Sequence, residues 1–202
     1  MVITGIYYAL AFTAAGLAVA FLSRPAFGLP LFALAAFFLW FFRDPERTAP
    51  PGPHAVSPAD GKVVGIRDAG PGLTRISIFL SPLDVHVNRS PIAGRIVRVD
   101  YQPGEFLIAS REEASERNEQ NIIVVEAEDG VRVTFKQIAG LVARRVVCYK
   151  RQGDNVGMGE RIGLMKFSSR MDVIFGPEWE ILVKERERVW AGTTIVARRK
   201  PS

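Results

Sequence analysis

Arg161-Ile162-Gly163-Leu164-Met165-Lys166-Phe167-Ser168-Ser169-Arg170-Met171-Asp172-Val173-Ile174 holds two apolar runs that meet at a pair of hydroxyls. Ile, Leu, Met, Phe and Val at near-alternating positions predict a strand on each side of Ser168-Ser169, because side chains of an extended chain point alternately to opposite faces. On the residues alone, two serines between strands read as a solvent-facing pair. Outward from this stretch the same signals recur. Residues 74–80 alternate as a strand, residues 92–101 read as another, and residues 121–126 and 130–137 form a hairpin about Asp129-Gly130. Asp60-Gly61 is a turn entering a strand at 62–66. Residues 138–147 read as a further strand, and residues 110–120 as a charged loop or short helix with a solvated face. Gly153, Gly157 and Gly159 lack the Lys-Ser/Thr that completes a nucleotide loop and read as a turn. Many short strands and few helices predict a mainly β domain.

The N-terminus obeys another rule. Residues 2–22 carry no charge, and roughly 20 apolar residues in a helix span a bilayer core. Ser23-Arg24-Pro25 breaks the run, and a second, shorter one covers residues 26–42. It ends in Leu39-Trp40-Phe41-Phe42 and then Arg43 and Arg47, an aromatic cluster followed by arginines as at a membrane–water boundary. A cleaved signal peptide needs a basic start, and no Lys or Arg precedes Arg24. The pattern predicts an α-helical membrane hairpin over 1–47 with both ends on one side. Arginines after the second run place the remainder of the chain in the cytoplasm. Residues 48–53, with three prolines and a glycine, form a linker to a domain over 48–202.

With 202 residues, 48% of them hydrophobic, the chain is long enough for one domain with a core beside a membrane segment. A single cysteine, Cys148, excludes an internal disulfide and multi-cysteine metal sites, and reads as a structural thiol. Two histidines, His54 and His86, exclude a histidine-rich metal centre; no metal is expected. The net charge of +5 predicts an anionic partner. Without a nucleic-acid motif, that partner is a membrane surface, not nucleic acid. Asp84, His86 and Asn88, at period-two spacing, would share one face of an extended segment.

Phe167-Ser168-Ser169-Arg170 followed by Asp172-Val173 resembles the self-cleavage site of the phosphatidylserine decarboxylases in their short bacterial and archaeal form, where Phe-Gly-Ser-Arg usually stands. Ser57-Pro58-Ala59-Asp60-Gly61 matches that family's motif residue for residue, and residues 81–91 resemble its histidine motif. The resemblance covers nearly the whole chain. It implies a β-barrel or sandwich-like catalytic domain with lipoyl-like hairpins, the last of them over 183–197. It also implies a zymogen that cuts itself between Ser168 and Ser169, Ser169 becoming a covalent pyruvoyl cofactor. The activity implied is that of a carboxy-lyase of phospholipid biosynthesis. It converts phosphatidylserine to phosphatidylethanolamine and CO₂ through a Schiff base with that group, at the cytoplasmic face of the cell membrane. After the cut, the chain's own large and small fragments stay associated.

By the same resemblance Asp60 assists self-cleavage, with His86 as relay, and His86 then protonates the carbanion. Longer members have two histidines three residues apart; His86 matches the first, while Arg89 stands at the second and is an auxiliary candidate. Residues 116–119 would lie near the substrate entrance, and Arg144 and Arg145 are candidates to meet a lipid phosphate. The main departure is Ser168 in place of Gly. A residue with a Cβ loses about 1–2 kcal/mol if the scissile peptide needs positive φ. This leaves two readings: a slower but real cleavage, or an unprocessed, catalytically inactive membrane-tethered homologue.

Overall fold

In a computed structural model, which describes residues 2–141, 146–166 and 169–201, the chain forms two compact units, Met1–Glu46 and Arg47–Ser202. The first is a helical hairpin. Helix α1 (Ile3–Leu22) is followed by a 3₁₀ turn at Pro25–Gly28 and helix α2 (Leu29–Phe41). At 1.5 Å per residue α1 is about 30 Å long, the thickness of a bilayer core, and α2 about 20 Å. Glycine lets the two helices approach. A Cβ on Gly5 would lie 2.5 Å from that of Phe42, and one on Gly16 would lie 2.8 Å from the Phe32 ring. Tyr8 and Phe12 stack on Phe38 with centroids 4.9 and 5.3 Å away, and the Val2 amide donates to the Phe42 carbonyl at 3.0 Å, closing the open end. Helix α1 is the one described helix long and apolar enough to cross a membrane.

The second unit is mostly β. Its strands are β1 (His54–Val56), β2 (Gly61–Asp68), β3 (Thr74–Leu80), β4 (Val87–Arg89), β5 (Gly94–Gln102), β6 (Gln120–Glu126), β7 (Arg132–Ile138), β8 (Val146–Cys148), β9 (Asn155–Val156), β10 (Arg161–Met165), β11 (Ser169–Phe175), β12 (Trp179–Ile181), β13 (Arg188–Val189) and β14 (Ile195–Arg199). One short helix, α3 (Ala114–Arg117), lies between β5 and β6. An eight-stranded sheet runs β13-β2-β3-β11-β7-β6-β5-β9, and two three-stranded sheets run β1-β14-β12 and β4-β10-β8. The named pairings in all three are antiparallel.

The two apolar runs of residues 161–174 are thus strands of different sheets, β10 in a small sheet and β11 near the middle of the large one. Register fixes which face each side chain takes. Met171 is opposite both Ile78 and Gln137, and Val173 is opposite Ile76 and Phe135. Met171, Ile78, Val173, Ile76 and Phe135, with Ile123, Val125, Val133 and Phe175, are fully buried in one apolar cluster. Directly opposed residues of an antiparallel pair share a face, so Ser169, two and four residues before Met171 and Val173, belongs to this inner face.

Residues 138–147 do not form one strand. Strand β7 ends at Ile138, although the Ala139 amide still bonds the Glu119 carbonyl at 2.8 Å in the register of the β6–β7 pair, and the next described strand is β8. Arg144 and Arg145 lie outside the described residues. Cys148 is half-buried, its Sγ 3.3 Å from the Lys150 carbonyl, and burial pushes its thiol above the usual cysteine range. A raised thiol pKa leaves less thiolate, the reactive form, at a given pH. Iodoacetamide at pH 8 should therefore modify Cys148 several-fold more slowly than glutathione, followed by intact mass; equal rates would show that this environment does not hold in solution.

Candidate active site

Ser169 opens β11 opposite Leu80. It is fully buried, and its hydroxyl has no hydrogen-bond partner among the described residues. Buried hydroxyls are nearly always paired. A lone one at the head of a central strand, where the chain crosses from one sheet to another, is therefore a nucleophile candidate. Ser168, the other half of the expected cleavage site, lies outside the described residues, as does Phe167.

His86 immediately precedes β4, and its carbonyl accepts the Met165 amide at 3.2 Å. This pairing puts the histidine beside the C-terminal end of β10, four residues before Ser169. The ring is buried, with Nδ1 2.9 Å from the Asp84 carbonyl. A carbonyl accepts only, so Nδ1 carries the proton and Nε2 is the basic nitrogen of the neutral ring. The Asp84 side chain, expected to stand with His86, instead bonds the Ser81 amide and hydroxyl at 2.8 and 2.7 Å and pairs with Arg188. Asn88 is fully buried.

Asp60 is buried at the entrance to β2. Lys62 is opposite Phe79, and Phe79 is opposite Arg170, so Asp60 and Ser169 lie at the same end of the sheet, two strands apart. Strands are about 4.8 Å apart, which puts the two backbones roughly 10 Å from each other. The carboxylate is held at both oxygens. Oδ1 accepts from Arg47 Nη1 and from the Ala191 amide at 2.8 Å, and Oδ2 accepts from Arg47 Nη2 at 2.8 Å. Arg47 Nη1 also donates to the Ala191 carbonyl at 2.9 Å. Sequence grouped Arg47 with the arginines of the membrane boundary; the fold uses it as the fork that grips Asp60. Arg89 is buried too and donates to the Gly159 carbonyl at 2.9 Å. Its Cδ packs so closely that a Cβ on Gly192 would lie 2.8 Å away, so the side chain bolts two turns together.

The outer face of β11 carries a feature that residue patterns did not single out. Arg170 and Asp172 are fully buried there and bond each other at 2.7 Å. Arg170 also donates to Ser77 Oγ at 2.6 Å, to the Arg111 carbonyl at 3.1 Å and to Glu112 at 3.2 Å. Asp172 accepts from Ser115 Oγ at 2.6 Å, and Arg75 Nε is 3.8 Å away. The charged segment 110–117 is therefore more than a solvated face: through Glu112 and Ser115 it is strapped over the strand that begins with Ser169. Burial lowers the Lys136 ammonium below the usual lysine range, and Asp172, opposite it in the sheet, acts the other way. Among the described residues no three His, Cys, Asp or Glu side chains gather as a metal site.

Residues 34–197 match the family model described as phosphatidylserine decarboxylase. The chain belongs to the phosphatidylserine decarboxylase family. A relative named phosphatidylserine decarboxylase proenzyme, from Solibacter usitatus, is 63% identical over 199 residues, covering 98% of this chain and 97% of its own length. Relatives of the same name from Salinibacter ruber and Erythrobacter litoralis are 48% and 46% identical, covering 84% and 95% of this chain and 80% and 84% of their own. The family match takes in the whole region from Asp60 to Asp172, so the buried serine, the histidine beside β10 and the gripped aspartate all lie inside it.

Proposed function

We propose that the chain is a membrane-bound decarboxylase that turns phosphatidylserine into phosphatidylethanolamine and CO₂ with a pyruvoyl group made from its own Ser169. The observation that carries this reading is the buried, unpartnered Ser169 hydroxyl at the head of β11, in a chain similar over nearly its full length to a named decarboxylase proenzyme. The residues fit the group. Ser169 is a serine, it follows the peptide bond expected to break, and it faces the protein interior, where water is kept out.

The Ser169 oxygen attacks the preceding carbonyl carbon, its proton passes to a base, and the Ser169 nitrogen leaves that carbon with a proton, giving an ester. A base then removes the Cα proton of residue 169 and the Ser168 carboxylate departs, leaving a dehydroalanine. Its tautomer takes up water and releases ammonia, so that a ketone remains. Nucleophilic attack of this kind needs a base in reach of the hydroxyl. Asp60 and Ser169 are two strands apart, and the carboxylate's bonds go to Arg47 and Ala191. That spacing favours a relay, and the basic Nε2 of His86 is the group to provide it. Ser169 is the residue that would hold the pyruvoyl group, which would supply an electron sink for the substrate's carboxylate electrons. His86 then returns a proton to the substrate carbon.

A two-chain lipid is reluctant to leave a bilayer, since each buried CH₂ contributes about 0.8 kcal/mol. Helix α1 would keep the domain at the membrane, and Arg43 after α2 favours the cytoplasmic side. The two fragments of the cut chain would remain one particle, because β11, on the C-terminal side of the cut, pairs with β3 and β7, on the N-terminal side.

The roles of Asp60 and His86 separate by experiment. Asp60→Asn should accumulate uncut chain, while the cut fraction keeps substantial turnover per ketone. His86→Ala should both slow cutting and lower turnover per ketone, by the 10²–10⁴-fold typical of a general acid–base. Phosphatidylethanolamine formed per titrated ketone measures this. Normal cutting and turnover in His86→Ala would remove the histidine from both steps. A wild-type chain that never cuts would favour the inactive homologue.

A further inference from the structure

We propose that Asn88 donates the hydrogen bond that stabilises the oxygen of the carbonyl attacked by Ser169, so that its side-chain amide is a catalytic residue of self-cleavage. This rests on the reading of Ser169 as the self-cleaving residue.

Beyond Met171, the inner face of the large sheet turns from apolar to polar. Gln137 is opposite Met171 and Asn121 is opposite Gln137, so both side chains share the face that Ser169 takes two residues further along β11. Both are buried. Asn121 Nδ2 donates to Gln137 Oε1 at 3.2 Å, and Gln137 Nε2 donates to Asn88 Oδ1 at 2.8 Å. The three amides form a directed chain running from β6 through β7 to β4. Its orientation is set by the Val147 carbonyl, which can only accept and lies 3.3 Å from Gln137 Nε2: that nitrogen therefore faces Asn88 Oδ1, and Asn88 Nδ2 is left with its donors. That nitrogen is fully buried and has no partner among the described residues.

The strands make room for this arrangement. Asn88 is opposite Gly163 in the β4–β10 pair, and a Cβ on Gly163 would lie 2.8 Å from Gln137 Nε2 and 2.1 Å from the Val147 carbonyl. Strand β10 continues from Gly163 to Met165, and the chain then crosses to Ser169. The crossing starts beside His86, where Met165 bonds its carbonyl. It ends on the strand opposite Gln137, so its two ends flank the Asn88–Gln137 pair. Two of the buried atoms in this region that have no partner among the described residues are the candidate nucleophile, Ser169 Oγ, and a donor, Asn88 Nδ2. A buried donor without a partner costs stability. A fixed, buried donor that reaches a carbonyl under attack stabilises the negative oxygen with no reorganisation.

Asn88→Leu removes the donor at similar volume, and Asn88→Asp keeps the acceptor for Gln137 while replacing the free donor with an oxygen. Processing is followed on denaturing gels after a pulse of synthesis, in membranes, with wild type and Ser169→Ala as references. Both Asn88 variants should process about 10²–10³-fold more slowly than wild type, the effect of losing one oxyanion donor. Hydroxylamine cuts the ester but not the peptide. Its release of fragments should fall in parallel, because the donor acts on the step that forms the ester; a role confined to later steps would raise that release. Processing of either variant within threefold of wild type, or a raised hydroxylamine release, overturns the proposal. A wild-type chain that stays whole instead overturns the reading of Ser169 beneath it.

Discussion

Ser169→Ala is expected to remain one chain of 202 residues and to form no phosphatidylethanolamine. Alanine removes the only atom that can attack the preceding carbonyl, and with it the source of the ketone, so the loss is complete and not graded. Wild type should instead yield a fragment of 34 residues (202 − 168) with a blocked N-terminus. Intact mass and a denaturing gel of the purified membrane protein distinguish the two. Because Ser169 is fully buried and makes no hydrogen bond among the described residues, the substitution removes an unpaired buried hydroxyl and breaks no hydrogen bond, and the variant should melt at or above the temperature of an uncut wild-type chain. A Ser169→Ala protein that is cut at the same bond would place the nucleophile elsewhere.

Arg170→Met should be the most destabilising single change outside the apolar core. It takes from Asp172, which is fully buried, its 2.7 Å partner, leaving the Ser115 hydroxyl and the more distant Arg75. Breaking a buried pair by removing one member costs about 3–5 kcal/mol, since the remaining charge is uncompensated. For a chain of this size that is a fall of roughly 6–20 °C in melting temperature. The measurement is best made on a Ser169→Ala background, so that processing does not alter the chain. Arg170→Met with Asp172→Leu should recover much of the loss, because no lone charge remains. A fall below about 2 °C in the single variant would mean that water or the 110–117 segment rearranges to solvate Asp172.

Much of this was legible in order along the chain. Strand β3 occupies residues 74–80 as their alternation requires, the hairpin turns at Asp129-Gly130, and the two apolar runs are strands, β10 ending at Met165 and β11 opening at Ser169. Local periodicity suffices where a strand has one apolar face. It could not show that the two runs enter different sheets, which depends on pairings made far away in sequence. Nor could it place Arg47 on Asp60: an arginine after an aromatic cluster has a sufficient local explanation, and the pairing arises from the path of the 47–60 segment. Arg170 and Asp172 carry no sequence signal of pairing, because alternating charges on a strand usually face water, whereas here residues 110–117 cover them. The end of β7 at Ile138 has no local signal, because the residues that follow, Ala139 to Ala143, stay apolar in sequence. The amides of Asn121 and Gln137 carry no motif; an interruption of the apolar face by amides in two adjacent strands was the available signal.

Strand β11 has neighbours from both halves of the chain that precede it: β3 on one side and β7 on the other. Its head can be assembled only after residues from 74 to 138 have found their places. Self-scission at that point would work as an inspection step. A chain that stalls or pairs out of register presents no buried hydroxyl against the bond to be cut, and so never acquires its electrophile. Reactive carbonyl would exist only in molecules that have already passed the test of folding, and no separate activating factor would be needed to tell finished copies from faulty ones.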